Sequence, residues 1–465
     1  MATHSSRLTS WLTKPPLILA GLLICHFAIV VGCIRIISPT VDEVAHLPAA
    51  LTYWDRGTFG LYPHNPPLVR LLFGIPPYLA HPRMYYDGVW RGDKKVERPE
   101  FHFGHEFVAV NADRFMTYFA LGRIVVAFLS LGTGLILFRW GRELAGPGAG
   151  LLAAALYLTD PNMIGHAGLV TVDVGATFFS TLAYFSFWRY LRTPSRARLL
   201  MSGIALGLAL LAKHSSLLLF PAFLLIHLLH LVGSRSGNYR DLAQISSRML
   251  RSWVVLFCMS VLIINCGYAW EGVGIHVGQF DFVSAQLRGG ADPAGIEAQT
   301  NRFRVPVLEE LPLPLPYFYI VGLDRQANEN SKGYPFYFDG FMHERSRWTY
   351  YPYCILYKTL LGTLALISGA VFIFLASTPR SPGGGGLAFL LVPLVLLLYL
   401  ILAVRFQAGF RYLFPVLPCL WLVAGVVWMK APARPLRIVA ALLILSNLVV
   451  CLRTFPDFIP FAARV

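Results

Sequence analysis

Two adjacent carboxylates, Asp42 and Glu43, stand directly after a long apolar run, with His46 one helical turn on and His64 further along the same stretch. Carboxylates are costly beside hydrocarbon, so this placement needs a reason, and chemistry at a membrane surface is one. Cations lie at the ends of other apolar runs, namely Lys213, Lys358, Arg405 and Arg411, while Arg123 lies inside one. Asp160, Asn162, His166 and Asp173 gather around one turn. A carboxylate facing several cations suits a reaction that removes a proton on one side and stabilises an anion on the other. A phosphate leaving group is the natural anion, because Arg and Lys hold it by charge-assisted hydrogen bonds.

Plainer roles exist for each residue. Asp42 suits the cap of a helix beginning near Glu43. Lys213, Lys358 and Arg405 suit anchors whose stems lie along apolar surface. Arg123 has no such reading, since an Arg inside a span needs a partner. His46, His64, His102 and His105 supply metal-ligand types together with Glu43 or Glu106. No recognised ligand spacing appears, and DEVAH is not HExxH, so no metal site is expected.

The elements that position these residues are membrane helices. Of 465 residues, 56% are hydrophobic and 14% charged, where a soluble domain carries about a quarter charged. The expected fold class is all-α, a polytopic integral membrane protein forming one domain over residues 1–465. About eleven spans follow from the length a helix needs to cross the bilayer: 17–37, 116–138, 147–160, 172–191, 199–213, 215–233, 252–272, 352–376, 386–404, 411–429 and 436–453. The first run is expected to be retained as a span, since no small-residue cleavage site follows it. The net charge of +15 reflects basic inner loops rather than nucleic-acid binding. The seven Cys are scattered, mostly in apolar runs, and read as small core residues.

Lys and Arg fix the expected orientation. With Arg7 and Lys14 inside, the short inner loops hold Arg139 and Arg142, then Arg192, Arg196 and Arg198, then Arg235, Arg240, Arg248 and Arg251, then Arg380, then Lys430, Arg434 and Arg437. The two long loops, 38–115 and 273–350, then face outward with every candidate polar group near them. In the first, LTYWDRGTFGLY and PLVRLLFGIPPYLA suit helices lying in the interface. In the second, LPLPLPYFY cannot be a helix interior, and the aromatics of YPFYFDGFMHERSRWTYYPY suit a membrane boundary. The segment Pro382–Gly386 reads as a flexible inner linker.

The Asp42-Glu43 pair, His46 and the segment HNPPLVRLL resemble the first outer loop of protein O-mannosyltransferases, whose pattern is an Asp-Glu pair followed by His-Pro-Pro-Leu. The stretches RFMTYFALGRIVVAFLSLGTGLILFRWGRELAG, DPNMIGHAGLVTVDVGATFF, GLALLAKHSSLLLFP and RYLFPVLPCLWLVAG are similar, in order, to the wider GT-C group, which includes the lipid A aminoarabinose transferases. Two departures stand out: the second loop holds no large outer domain, and Asn65 splits the His-Pro-Pro motif. The resemblance implies an inverting transfer of a sugar from a polyprenyl-phosphate donor to a protein, lipid or glycan acceptor. No cofactor is implied beyond the lipid-linked sugar itself, and no nucleic-acid partner. The site would face the periplasm from a bacterial inner membrane, or the lumen if the membrane is that of the ER. Asp42 would be the general base, with Glu43 orienting it or binding acceptor. Arg123, Lys213 and Arg411 would hold the donor phosphate; His64, Asp173, His46 and Lys358 would shape the sugar or acceptor site. The rival classes are a transporter or flippase of lipid-linked sugars and an inactive membrane scaffold. Charges gathered on one face, rather than at the midplane, favour the enzyme.

This topology predicts that cysteines introduced beside Asp55 and beside Arg240 react with an impermeant thiol reagent from opposite sides of the membrane. Labelling from the same side would overturn it.

Overall fold

The computed structural model describes residues 15–86, 98–233, 240–289, 301–376, 385–407, 409–430 and 434–458. Its first helix, α1 (Pro15–Ile36), is apolar on all sides after a paired proline start. The first long loop holds three helices, α2 (Val41–Arg56), α3 (Leu68–Leu79) and α4 (Pro99–Val110). The chain then runs through α5 (Phe115–Ala145), α6 (Pro147–Leu158), α7 (Pro161–Ala167), α8 (Asp173–Arg192), α9 (Arg196–Ala212), a 3-10 turn at His214–Leu218, α10 (Leu219–Gly233) and α11 (Arg240–Gly267). The second long loop carries the short α12 (Ala285–Arg288), α13 (Tyr317–Lys332) and a two-stranded hairpin, β1 (Phe336–Phe338) and β2 (Phe341–His343). Helices α14 (Tyr350–Lys358), α15 (Leu361–Ala376), α16 (Gly385–Ala403), α17 (Leu417–Lys430) and α18 (Arg434–Thr454) complete the bundle.

Each expected span falls on a helix or a pair of helices. Among the described residues, five helices are long and apolar enough to cross a membrane: Pro15–Ile36, Phe115–Ala145, His214–Leu231, Ser247–Gly267 and Pro435–Thr454. A bent pair makes a sixth. The others are shorter or more polar. Helix α8 buries Thr177, Ser180 and Thr181 and packs against α5 and α9, so protein rather than lipid surrounds it.

Two expectations need correction. The span placed at 352–376 is not straight: α14 and α15 meet at 114°. The chain between them at Thr359 is extended, and an extended residue cannot carry the helix through. In the expected glycine linker, 382–384 lie outside the described residues, while Gly385 opens α16. The described prolines of the second loop lie outside helix interiors as expected, with Pro316 standing just before the first residue of α13. The hairpin was not anticipated; its turn is Asp339-Gly340, both with positive φ, as a two-residue hairpin turn of this kind requires.

Helix α2 positions the acidic pair. Thr40 is its N-cap, and Glu43 closes a capping box by accepting from the Thr40 backbone N–H at 2.8 Å and from its hydroxyl at 3.1 Å. Asp42 is therefore not the cap. Gly57 ends the helix in the left-handed conformation. Pro48 inside α2 has no N–H to give the Val44 carbonyl. Helix α4 crosses at that carbonyl through Gly104, where a Cβ would stand 2.0 Å from Val44 O. The two long loops also meet. Glu271 accepts from Thr58 Oγ1 at 3.0 Å and from the Phe59 N–H at 3.2 Å. At Gly322 of α13 a Cβ would stand 2.0 Å from Pro63 O and 2.8 Å from His214 Nε2.

Replacement of Gly104 by Ala should therefore part α4 from α2 at a cost of about 1–3 kcal/mol. Thermal unfolding in detergent should register a clear drop. Gly21→Ala, where a Cβ meets nothing within 4 Å, should leave the midpoint in place.

Candidate functional site

Adjacent residues on a helix point about 100° apart, and this divides the acidic pair. Glu43 faces the bundle and is fully buried; Asp42 faces outward with its side chain 38% exposed. Glu43 meets Arg123 of α5, which is also fully buried, in a two-pronged ion pair: Nε to Oε1 at 2.8 Å and Nη2 to Oε2 at 2.9 Å. The Val170 N–H adds a bond to Oε1 at 2.8 Å. Arg123 also donates to the carbonyls of Ile34 (3.4 Å), Ile37 (2.7 Å) and Ser38 (3.2 Å).

This geometry argues against two of the expected roles. A guanidinium enclosed by one carboxylate and three carbonyls has no face to offer a lipid phosphate. Arg123 is better read as the partner its location in a span demands. Glu43, buried beneath it, presents no surface to a substrate, and acts on Asp42 by fixing the start of α2.

Asp42 belongs to a different cluster. Its carboxylate accepts a short hydrogen bond from Arg411 Nη1. The same nitrogen lies 3.8 Å from Asp173 Oδ2, and Asp173 Oδ1 accepts from Lys213 Nζ at 2.5 Å. Lys213 sits in the extended joint between α9 and the 3-10 turn, 4.9 Å above the ring of Tyr412. Two carboxylates and two cations thus alternate in a line from α2, the turn before α17, the start of α8 and the end of α9. Burial raises the Asp42 carboxyl, but the Arg411 guanidinium outweighs it and holds the group below the usual carboxylate range. His46, one turn on, is pushed down to about 3 by burial and by Arg70, and is a neutral imidazole at any ordinary pH.

His64 lies apart, at the joint of the two loops. Its Nε2 is 3.2 Å from Glu329 Oε1 of α13, and Arg98 Nη1 reaches the same oxygen at 3.0 Å. Arg98 Nε also pairs with the buried Glu100 at 2.5 Å. Burial raises Glu329, but its bond to His64 and the nearby Arg98 charge hold it below its ordinary value. Tyr62 links the two groups, its ring 5.0 Å from His46 and 5.6 Å from His64. Lys358 is buried at the end of α14, where its carbonyl accepts from Asn162 Nδ2 at 2.8 Å. Arg405 is exposed, and its backbone N–H donates to Asn330 Oδ1 at 3.1 Å.

Sequence reasoning passed over Arg70, Arg98 and Glu329. Arg70 of α3 is fully buried, donates to the carbonyls of Tyr62 (2.7 Å) and Asn65, and lies 4.6 Å over the Tyr62 ring. It holds the His-Asn-Pro-Pro segment in place. An Arg inside an apolar helix was a signal here, the same one that singled out Arg123. Glu329 had no such mark. Among the described residues no three His, Cys, Asp or Glu side chains converge as a metal would need.

A family model described as dolichyl-phosphate-mannose-protein mannosyltransferase matches residues 21–270. Among solved structures, ArnT from Cupriavidus metallidurans bound to undecaprenyl phosphate is 12% identical with a TM-score of 0.53, over 89% of this chain and 60% of that one. The S. cerevisiae protein O-mannosyltransferase Pmt1-Pmt2 complex bound to the sugar donor is 13% identical with a TM-score of 0.61, over 98% and 92%. The archaeal oligosaccharyltransferase AglB from Archaeoglobus fulgidus, in complex with an inhibitory peptide and a dolichol-phosphate, is 15% identical with a TM-score of 0.50, over 96% and 55%. At these identities the likeness is one of fold, that of GT-C membrane enzymes. The chain spans about 60% of the length of ArnT. No curated protein sequence matches it.

The Glu43–Arg123 pair yields a prediction. Arg123→Ala leaves a buried carboxylate alone and should cost about 3–5 kcal/mol of stability. Adding Glu43→Gln should recover a large part of the loss, read as the unfolding midpoint in detergent. A phosphate-binding Arg123 would instead show weaker lipid-phosphate binding in a stable Arg123→Ala protein.

Proposed function

The chain belongs to the dolichyl-phosphate-mannose-protein mannosyltransferase family, and from that premise we propose that it is a multi-pass membrane glycosyltransferase moving a sugar from a polyprenyl-phosphate donor to an acceptor hydroxyl on the outer face. The observation that carries this reading is the line Asp42–Arg411–Asp173–Lys213, in which the partly exposed Asp42 meets Arg411 and the buried Asp173 joins Arg411 to Lys213. Arg411 and Lys213 hold the donor phosphate. Asp42 takes the acceptor proton as its oxygen attacks the anomeric carbon opposite the phosphate, so the configuration inverts. A polyprenyl phosphate leaves already anionic, so the reaction needs a base and a cationic cradle more than an acid.

The elements around the line fit these roles. Asp173 is 4% exposed and holds Lys213, which keeps the ammonium in place between turnovers. Neutral His46 beside Asp42 offers a hydrogen bond without competing for the proton. His64, Glu329 and Arg98 close the two loops over that end of α2 and shape the sugar or acceptor site. The lipid tail stays in the bilayer, because each exposed methylene costs about 0.8 kcal/mol; the phosphate therefore has to meet its cations near the interface.

Purified protein given polyprenyl-phosphate hexoses and candidate acceptors should release free polyprenyl phosphate. Asp42→Asn keeps shape and loses proton acceptance, so turnover should fall about a hundred to ten thousand fold while donor binding is not weakened. An active Asp42→Asn enzyme would remove Asp42 as the base. Lipid translocation without product, surviving loss of Asp42, would identify a transporter instead.

A further inference from the structure

Arg411 is already engaged. Both Asp42 and Asp173 approach its Nη1, and Lys213 is bound to Asp173. The four charges balance, so this is not a cationic pocket waiting for an anion. A phosphodiester brought into the line adds a negative charge at hydrogen-bonding range of two carboxylates, and like charges at that range repel strongly. One carboxylate has to give way.

The geometry says which. Asp173 is 4% exposed and keeps Lys213 at 2.5 Å on its other oxygen. Asp42 is 38% exposed, stands at the end of the line, and has its one ion pair among the described residues with Arg411. It is the partner with water to turn toward and the fewest ties. Around it stand neutral His46 on its own helix, Asp173 and Lys213 beyond Arg411, and Tyr412 beside both cations.

We propose, resting on the donor-phosphate reading of Arg411, that the phosphate replaces Asp42 on Arg411 and that this exchange is what makes Asp42 a competent base. A carboxylate that loses its cation binds a proton more tightly. While the donor is absent, Asp42 is a weak base occupied by Arg411; when the donor is bound, it is a stronger one beside the reacting carbon. The acceptor O–H proton then passes to Asp42, the acceptor oxygen bonds to the anomeric carbon, and the C–O bond to phosphate breaks with its electron pair going to the phosphate oxygen. The phosphate gains one negative charge as Asp42 loses one, so the ensemble's charge is unchanged through the step. Asp42 passes its proton to water and returns to Arg411 when the lipid phosphate leaves.

The test is binding of undecaprenyl phosphate to the full chain in lipid nanodiscs, by wild type, Asp42→Asn, Arg411→Ala and the double variant. Exchange predicts that Asp42→Asn binds more tightly than wild type, roughly threefold to tenfold, the worth of a partly exposed ion pair and somewhat more. Arg411→Ala should bind at least about tenfold more weakly. The double variant should bind no more tightly than Arg411→Ala alone, since Asp42 competes only through Arg411. Asp42→Ser provides a second neutral side chain, and unfolding midpoints show that each variant is folded. Unchanged or weaker binding in both folded Asp42 variants, with Arg411→Ala weakened, would overturn the exchange and leave the phosphate site standing. Arg411→Ala binding as wild type does would instead sink the phosphate site, and the exchange with it.

Discussion

The buried pair of Glu43 and Arg123 is the constraint from which the site follows. Two charges out of water are tolerated only when each is saturated with hydrogen bonds, and here they are: Glu43 accepts from Arg123, Val170 and Thr40, and Arg123 donates to Glu43 and three carbonyls. Those partners come from the end of α1, the start of α2, the first third of α5 and the turn before α8. A single ion pair therefore fixes the point where a loop helix joins the bundle. It also sets the rotation of α2 about its axis. With Glu43 locked inward, its neighbour Asp42 has no choice but to face outward.

The same economy appears where the two long loops meet. Glycine at 322 lets α13 lie against the Pro63 carbonyl, and that contact brings Glu329 to His64. Arg70, beneath, spends its donors on the backbone carbonyls of Tyr62 and Asn65. The His-Asn-Pro-Pro segment is thus gripped from below by a buried cation and from above by a helix of the other loop. Asn65 contributes its carbonyl to this grip, so the extra residue in the motif has a structural use.

Much of this was legible in the sequence, and what was not has a physical cause. Helices, their order and the basic short loops are written in composition and local patterning, because hydrocarbon demands long apolar runs. The line of Asp42, Arg411, Asp173 and Lys213 was legible as residue types gathered at one face. Which cation meets which carboxylate was not, since that depends on helix rotation and packing. Arg123 illustrates the limit: its need for a partner was plain, but the choice between Glu43 and a substrate phosphate rests on which face of α2 turns inward. The break between α14 and α15 was hidden because both halves are apolar, and hydropathy records burial rather than direction.

The division of labour within the acidic pair has a wider consequence for the chemistry. A carboxylate buried and saturated as Glu43 is cannot take a proton from an acceptor without losing the bonds that hold the loop. A carboxylate as exposed as Asp42 would, by itself, be held in place poorly. Joined on one helix, the first supplies position and the second, in the proposed mechanism, reactivity, and neither needs the other's environment. The arrangement also keeps strong charge at the site without leaving it unbalanced. Each cation near Asp42 has a carboxylate of its own, so the resting cluster is neutral and can lie close to lipid. In the proposed exchange, a substrate that brings its own anion rearranges the cluster rather than filling it, and the partner nearest to water is the one that moves.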